Sequence, residues 1–152
     1  MGSSDRHTGT DDHDSLKRFV QAQADSYPQA LAELRQGRKR THWIWYVLPQ
    51  LRGPGRSPMA DHYGIAGRTE ALAYLAHPLL GPRLRECVEA VLQHAGKDAV
   101  AIVGSVDALK FRSCLTLFAA VAPQEPVFAR ALEVFYAGAA DEATLRLLEA
   151  GG

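Results

Sequence analysis

From Pro82 onward the chain carries Leu84, Cys87, Val88, Val91 and Leu92 at i, i+3, i+4, i+7 and i+8. That spacing puts all five on one side of an α-helix, because each residue advances about 100° around the axis. The same rhythm recurs along most of the chain, cut at short intervals by proline, glycine and capping residues. Nothing repeats in the strand–helix–strand order of a parallel sheet. These features predict a mainly α, compact single-domain bundle of about six to eight helices with short connections.

Residues 1–13, rich in Gly, Ser, Thr and Asp, read as a disordered tail. Residues 14–150 read as a single all-α domain opening at a cap, Asp14 or Ser15. Pro28 is expected to restart a helix that Gly37 ends. Trp43 to Leu48 favours strand by propensity, but it is short and Pro49 closes it, so a buried helical turn fits equally. Ser57-Pro58 pairs a cap with a first-turn proline, and Gly64 is the natural stop. Thr69 is expected to cap the next helix and Pro82 to open the one after it. Ala99 to Val103 reads as strand or helical turn. Ser105 or Asp107 should cap a long helix reaching Ala122. Pro126 and Asp141 start the last two, and Gly138 ends the first of them.

Composition narrows the functional classes. Hydrophobic residues make up 47% and charged residues 22%, enough apolar material for a core without a metal or disulfide. Lys and Arg number 17, as do Asp and Glu, so no global field draws nucleic acid or anionic membrane. The basic run Arg35 to Arg40 reads as a helix end. A nucleic-acid patch adding Arg52 and Arg56 is disfavoured. Cys87 and Cys114 sit inside apolar patterns and are expected as buried thiols. No zinc spacing, P-loop, dinucleotide fingerprint or GxSxG elbow occurs, so no metal and no cofactor is expected. No early apolar run follows Met1 and no segment nears the length of a spanning helix. A cytoplasmic protein without a membrane partner is the expectation.

Two stretches can carry chemistry. On the helix after Asp107, Arg112, Ser113 and Thr116 share one stripe, with Lys110 to its side, while Leu109, Phe111, Cys114, Leu115, Leu117, Phe118 and Val121 make the rest apolar. Such a helix is buried, so its polar groups need partners. They can bond back to helix carbonyls, with Arg112 in a structural ion pair. They can instead line a pocket for a small anion, which arginine and hydroxyls suit. The second stretch, THWIWYVLPQLRGPGRSPMADHYGI, runs from Thr41 to Ile65. His42 can act as general acid or base. Trp43, Trp45 and Tyr63 offer flat faces to a ring, or core packing. Gly53 and Gly55 let backbone N–H groups approach a ligand, and Arg56 adds charge, or the loop is an ordinary turn.

The blocks KRTHWIWYVLPQLRGPGRS, YGIAGRTEALAYLAHPLLGPRL, LKFRSCLTLF and FARALEVFYAGAADEATLRLL, from about Leu16 to Leu148, resemble in order those of the domain-of-unknown-function 1810 family. Members are often labelled "calpastatin" in bacterial genomes. The resemblance implies a compact, mainly α-helical fold and no established activity. Its shared positions fall here on His42, Trp43, Trp45, Gln50, Gly53, Gly55, Ser57, Tyr63, His77, Lys110, Ser113 and Thr116. Thr41, Pro54 and Leu115 depart from its usual residues, and Pro54 stiffens the glycine loop.

Two functions compete. In the first, His42, Arg56, Ser57, Lys110, Arg112, Ser113 and Thr116 converge on a small phosphorylated, nucleotide-like or ADP-ribose-like ligand, with His42 catalysing a hydrolytic step. In the second, the aromatic segment is the anchor of a protein-interaction module. A hollow joining the loop after Gln50 to the Lys110–Thr116 helix favours the first, and a flat aromatic surface favours the second.

Overall fold

The computed structural model describes the backbone of residues 3–53 and 56–151 and the side chains of residues 15–53 and 56–151. The tail expected over residues 1–13 lies outside the described side chains. The first helix, α1 (Ser3–Arg35), does not break at Pro28, which lies inside it. Leu16, Phe19, Gln23, Tyr27, Ala30, Leu31 and Leu34 form one buried stripe that crosses the proline. Packing along that stripe keeps the axis continuous. Ala24 and Pro28 are both exposed, so water can serve the carbonyl that the proline leaves without a donor.

Trp43 to Leu48 is helical: α2 (Ile44–Val47) is a single turn with Ile44 and Val47 buried. Ser57 caps α3 (Pro58–Tyr63), its Oγ accepting from the Ala60 N–H at 3.0 Å. On either side of α3, Leu51 and Ile65 pair in an isolated parallel bridge. The next helix, α4 (Arg68–Ala76), begins after Gly67, and Thr69 lies inside it rather than capping it. No side chain caps α4, and Glu70 in its first turn reaches back to accept from the Ala66 N–H at 2.8 Å. Arg18 fixes that carboxylate through contacts of 3.0 and 3.1 Å, and bonds the carbonyl of Gly64 at 2.9 Å.

The strongest amphipathic pattern is α5 (Leu80–Leu92), with Leu84, Cys87, Val88 and Val91 buried. It starts two residues before Pro82, whose missing N–H costs nothing in a first turn. Gly81 is required there, since a Cβ would lie 2.1 Å from the Leu75 carbonyl oxygen. Ala99 to Val103 is helical as α6 (Ala99–Val103), capped by Asp98 Oδ1 on the Ala101 N–H at 2.8 Å. Then comes α7 (Ser105–Val121), entered through Gly104 at φ 91 without a side-chain cap. Asp107 cannot serve, because Lys39 Nζ holds its carboxylate at 2.8 Å. Pro126 opens α8 (Pro126–Tyr136), and the chain turns through left-handed Ala137 and Gly138 into α9 (Glu142–Gly151).

Among the described residues there are nine helices and no strand. α7 packs against α2, α4, α6, α8 and α9, while α1 closes the other side on α2, α4 and α5. One apolar core joins them. Among the described residues no helix is long and apolar enough to cross a membrane.

Candidate functional site

Gln50 is the hinge between the two stretches singled out in the sequence. Its carbonyl accepts from the Ile65 N–H at 2.9 Å, and Arg52 N–H returns to the Ile65 carbonyl at 2.8 Å. That bridge sets the backbone where the chain leaves the α2 turn. The Gln50 side chain is only 9% exposed and has no hydrogen-bond partner among the described residues.

Two hollows meet at this side chain. The inner one, about 10 Å³, is lined by Ile44, Trp45, Leu48, Ala60, Tyr63 and Gly64 together with Gln50 and Lys110. It has room for about one water. Trp45 Nε1 is buried there without a partner. The outer one is a cleft of about 320 Å³ bounded by Gln50, Val106, Leu109, Lys110, Arg112, Ser113 and Asp141. Gln50 and Lys110 belong to both, so the tryptophan segment and α7 do adjoin.

The α7 stripe is largely engaged from within. Arg112 Nε donates to the Ala139 carbonyl at 2.7 Å and Nη2 to the Ala140 carbonyl at 2.9 Å, leaving Nη1 uncommitted. The expected ion pair is thus replaced by backbone carbonyls. Ser113 Oγ reaches the Leu109 carbonyl at 3.2 Å and Asp141 Oδ2 at 2.9 Å. Thr116 Oγ1 donates to the Arg112 carbonyl at 2.8 Å and accepts from the Asp141 N–H at 2.9 Å. These three side chains fasten the α8–α9 turn to α7. Lys110 is held more loosely, 3.7 Å from Asp107 Oδ1. Asp107 is itself anchored by Lys39, whose ammonium also bonds the Thr41 carbonyl at 2.5 Å and lies 5.0 Å from the Trp43 ring.

Other expected site residues stay apart. His42 is exposed, lines neither hollow, and takes part only through its carbonyl, which accepts from Tyr46 Oη at 3.3 Å. Trp43 is core: it is 1% exposed and its Nε1 donates to Glu33 at 3.0 Å. Gly53 lies beside Leu147, Ser57 caps α3, Arg56 is exposed, and Gly55 is outside the described residues. Of the described ones, Trp43, Gly53, Arg56 and Ser57 line neither hollow. Tyr63 does, although its ring is stacked among Phe19, Tyr46 and His62. Among the described residues no cluster of His, Cys, Asp or Glu could hold a metal ion.

Sequence reasoning missed Val106, Leu109 and Asp141 as lining residues, and it expected Leu109 inside. Leu109 is 67% exposed and Val106 65%. A signal existed: Val106, Leu109, Lys110 and Ser113 stand at i, i+3, i+4 and i+7, one helix face in their own right.

The fold is similar to the crystal structure of the conserved hypothetical protein Rv1873 from Mycobacterium tuberculosis. Identity is 50%, the TM-score is 0.86, and the match covers 88% of this chain and 96% of that one. No curated protein matches. The model of the family described as "Protein of unknown function (DUF1810)" matches residues 13–148, and the chain belongs to that family.

Proposed function

We propose that the protein binds a small anionic ligand in the cleft between Gln50 and the first half of α7. One observation carries the reading. Gln50 is only 9% exposed, and its carboxamide, at the junction of both hollows that Lys110 also lines, bonds no protein group among the described residues. A side chain held almost wholly in the interior with its polar end turned to a cleft and to no protein partner leaves that end available to a bound group. An acceptor-bearing ligand would take the Gln50 and Lys110 donors together with the free Nη1 of Arg112.

Nucleotide-like and ADP-ribose-like ligands draw less support than the sequence alone suggests. Trp43 has no open face, and Tyr63 reaches only the inner hollow. A hydrolytic role for His42 draws none, since His42 lines neither hollow. The reading is therefore binding, without an assigned reaction. The interaction module remains the competing reading, favoured by the exposure of Val106 and Leu109.

A thermal-shift panel of nucleotides, ADP-ribose, sugar phosphates and small carboxylates tests it. A ligand present at about 100 times its Kd adds about 2.7 kcal/mol to stability. At least one class is expected to raise the Tm of the wild type and to leave Lys110→Gln unmoved. A flat response across the panel at millimolar concentration removes the ligand reading and favours the interaction module.

A further inference from the structure

The cleft's charge and shape say more about its occupant. Among its lining residues, Lys110 and Arg112 are positive and Asp141 is negative, a small net positive charge. Neither cation is fully free. Arg112 already spends two donors on carbonyls, and Lys110 stands 3.7 Å from Asp107. A phosphate dianion or a pyrophosphate would meet the Asp141 carboxylate with too little compensation from two partly engaged cations, because like charges in a partly desolvated cleft repel strongly. A volume of about 320 Å³ is also at the low end for ligand pockets, which run from roughly 300 to 1,000 Å³, and is cramped for a dinucleotide.

The apolar side of the cleft points the same way. Val106 and Leu109, 65% and 67% exposed, are the most exposed of the large hydrophobic side chains described. One helical turn apart on α7, they border the same hollow as the unpartnered Gln50 carboxamide. An apolar pair kept in water beside unpartnered donors suits an amphipathic occupant. Resting on the anion site proposed above, we infer that the ligand is a monoanion with an apolar body, a carboxylate attached to an alkyl or aryl group. Its head meets Gln50, Lys110 and the free Nη1 of Arg112, and its body covers Val106 and Leu109.

Calorimetric titration of the full chain tests this with acetate, 3-phenylpropionate, octanoate, inorganic phosphate and ADP-ribose. N-acetyl-Ala-Leu, as free acid and as amide, separates a peptide C-terminus from a free small acid as the source of the carboxylate. The expected result is that at least one apolar carboxylate binds about tenfold tighter than acetate, the worth of one side-chain contact. Leu109→Ser should abolish that gain while its own Tm stays at the wild-type value, since the side chain is exposed. Lys110→Gln should weaken every carboxylate. Tighter binding of phosphate or ADP-ribose than of any carboxylate, indifferent to Leu109→Ser, overturns this inference and leaves the anion site standing. Equal binding of the peptide acid and its amide also overturns it. Binding by no probe overturns both.

Discussion

Glu33 accepts five hydrogen bonds through one carboxylate. It is 1% exposed, yet it faces no cation. Its carboxylate accepts from the backbone N–H groups of Arg40 and Thr41, the Thr41 hydroxyl, Gln29 Nε2 and Trp43 Nε1, at 2.7 to 3.0 Å. Burial alone would raise its pKa, but the hydrogen bonds from Arg40, Gln29 and Thr41 outweigh it and bring the value down from 4.5 to about 2. Folding thus favours the ionised form. Its contribution, on the order of 3 kcal/mol, is present in full above pH 4.5 and is withdrawn as the pH falls toward 2. Glu33→Gln, which cannot accept all five bonds, is expected to lower stability at pH 7 by about 2–3 kcal/mol in urea titrations. It should also flatten the acid limb of the stability–pH curve. A variant whose acid limb matches the wild type would show that another carboxylate governs it. No local pattern announced this role, because four of the five donors arrive from the next connection and only Gln29 lies on the helix that carries Glu33.

Helix starts were legible where a short-range bond makes them. Ser57 before Pro58 and Asp98 before Ala99 each cap within three residues, and both bonds form. Starts were misread where a distant group intervenes. Glu70, held by Arg18 from 52 positions away, bonds the N–H just ahead of α4 while Thr69 lies inside it, and Lys39 occupies the carboxylate of Asp107. Pro28 was misread because its local effect is overruled by the stripe packed beneath α1. Exposed Pro28→Ala should therefore raise stability by about 1 kcal/mol, the restored helical bond exceeding the gain in unfolded-chain entropy. A drop in Tm would mean that the proline ring itself contributes to packing. On α7, Thr116→Val removes the acceptor for the Asp141 N–H while keeping the side-chain shape. The expected cost is about 1–2 kcal/mol, with amide exchange in α9 rising more than in α5. Uniform acceleration across the chain would deny Thr116 its local role.

At the scale of the whole molecule, one core must open before its thiols react. Cys87 and Cys114 are free and fully buried. Burial pushes the Cys87 thiol up to about 12 and the Cys114 thiol well above its ordinary value. Neither is a thiolate near neutrality, and neither is reachable. Ellman's reagent is expected to label both together, following the urea unfolding transition. Fast labelling of either one in native buffer would reveal a separate local opening. The sequence by itself determined the all-helical class, the buried thiols, most helix boundaries and the family, since these depend on spacings within a few residues. Only the tertiary structure decided which polar groups meet. It gave Arg112, Ser113 and Thr116 to the α8–α9 turn, sent His42 to the surface, and set unpartnered Gln50 against Lys110. The reason is physical: helical periodicity assigns a side chain to a face, but its partner lies tens of residues away, and only packing the helices brings the two within bonding distance.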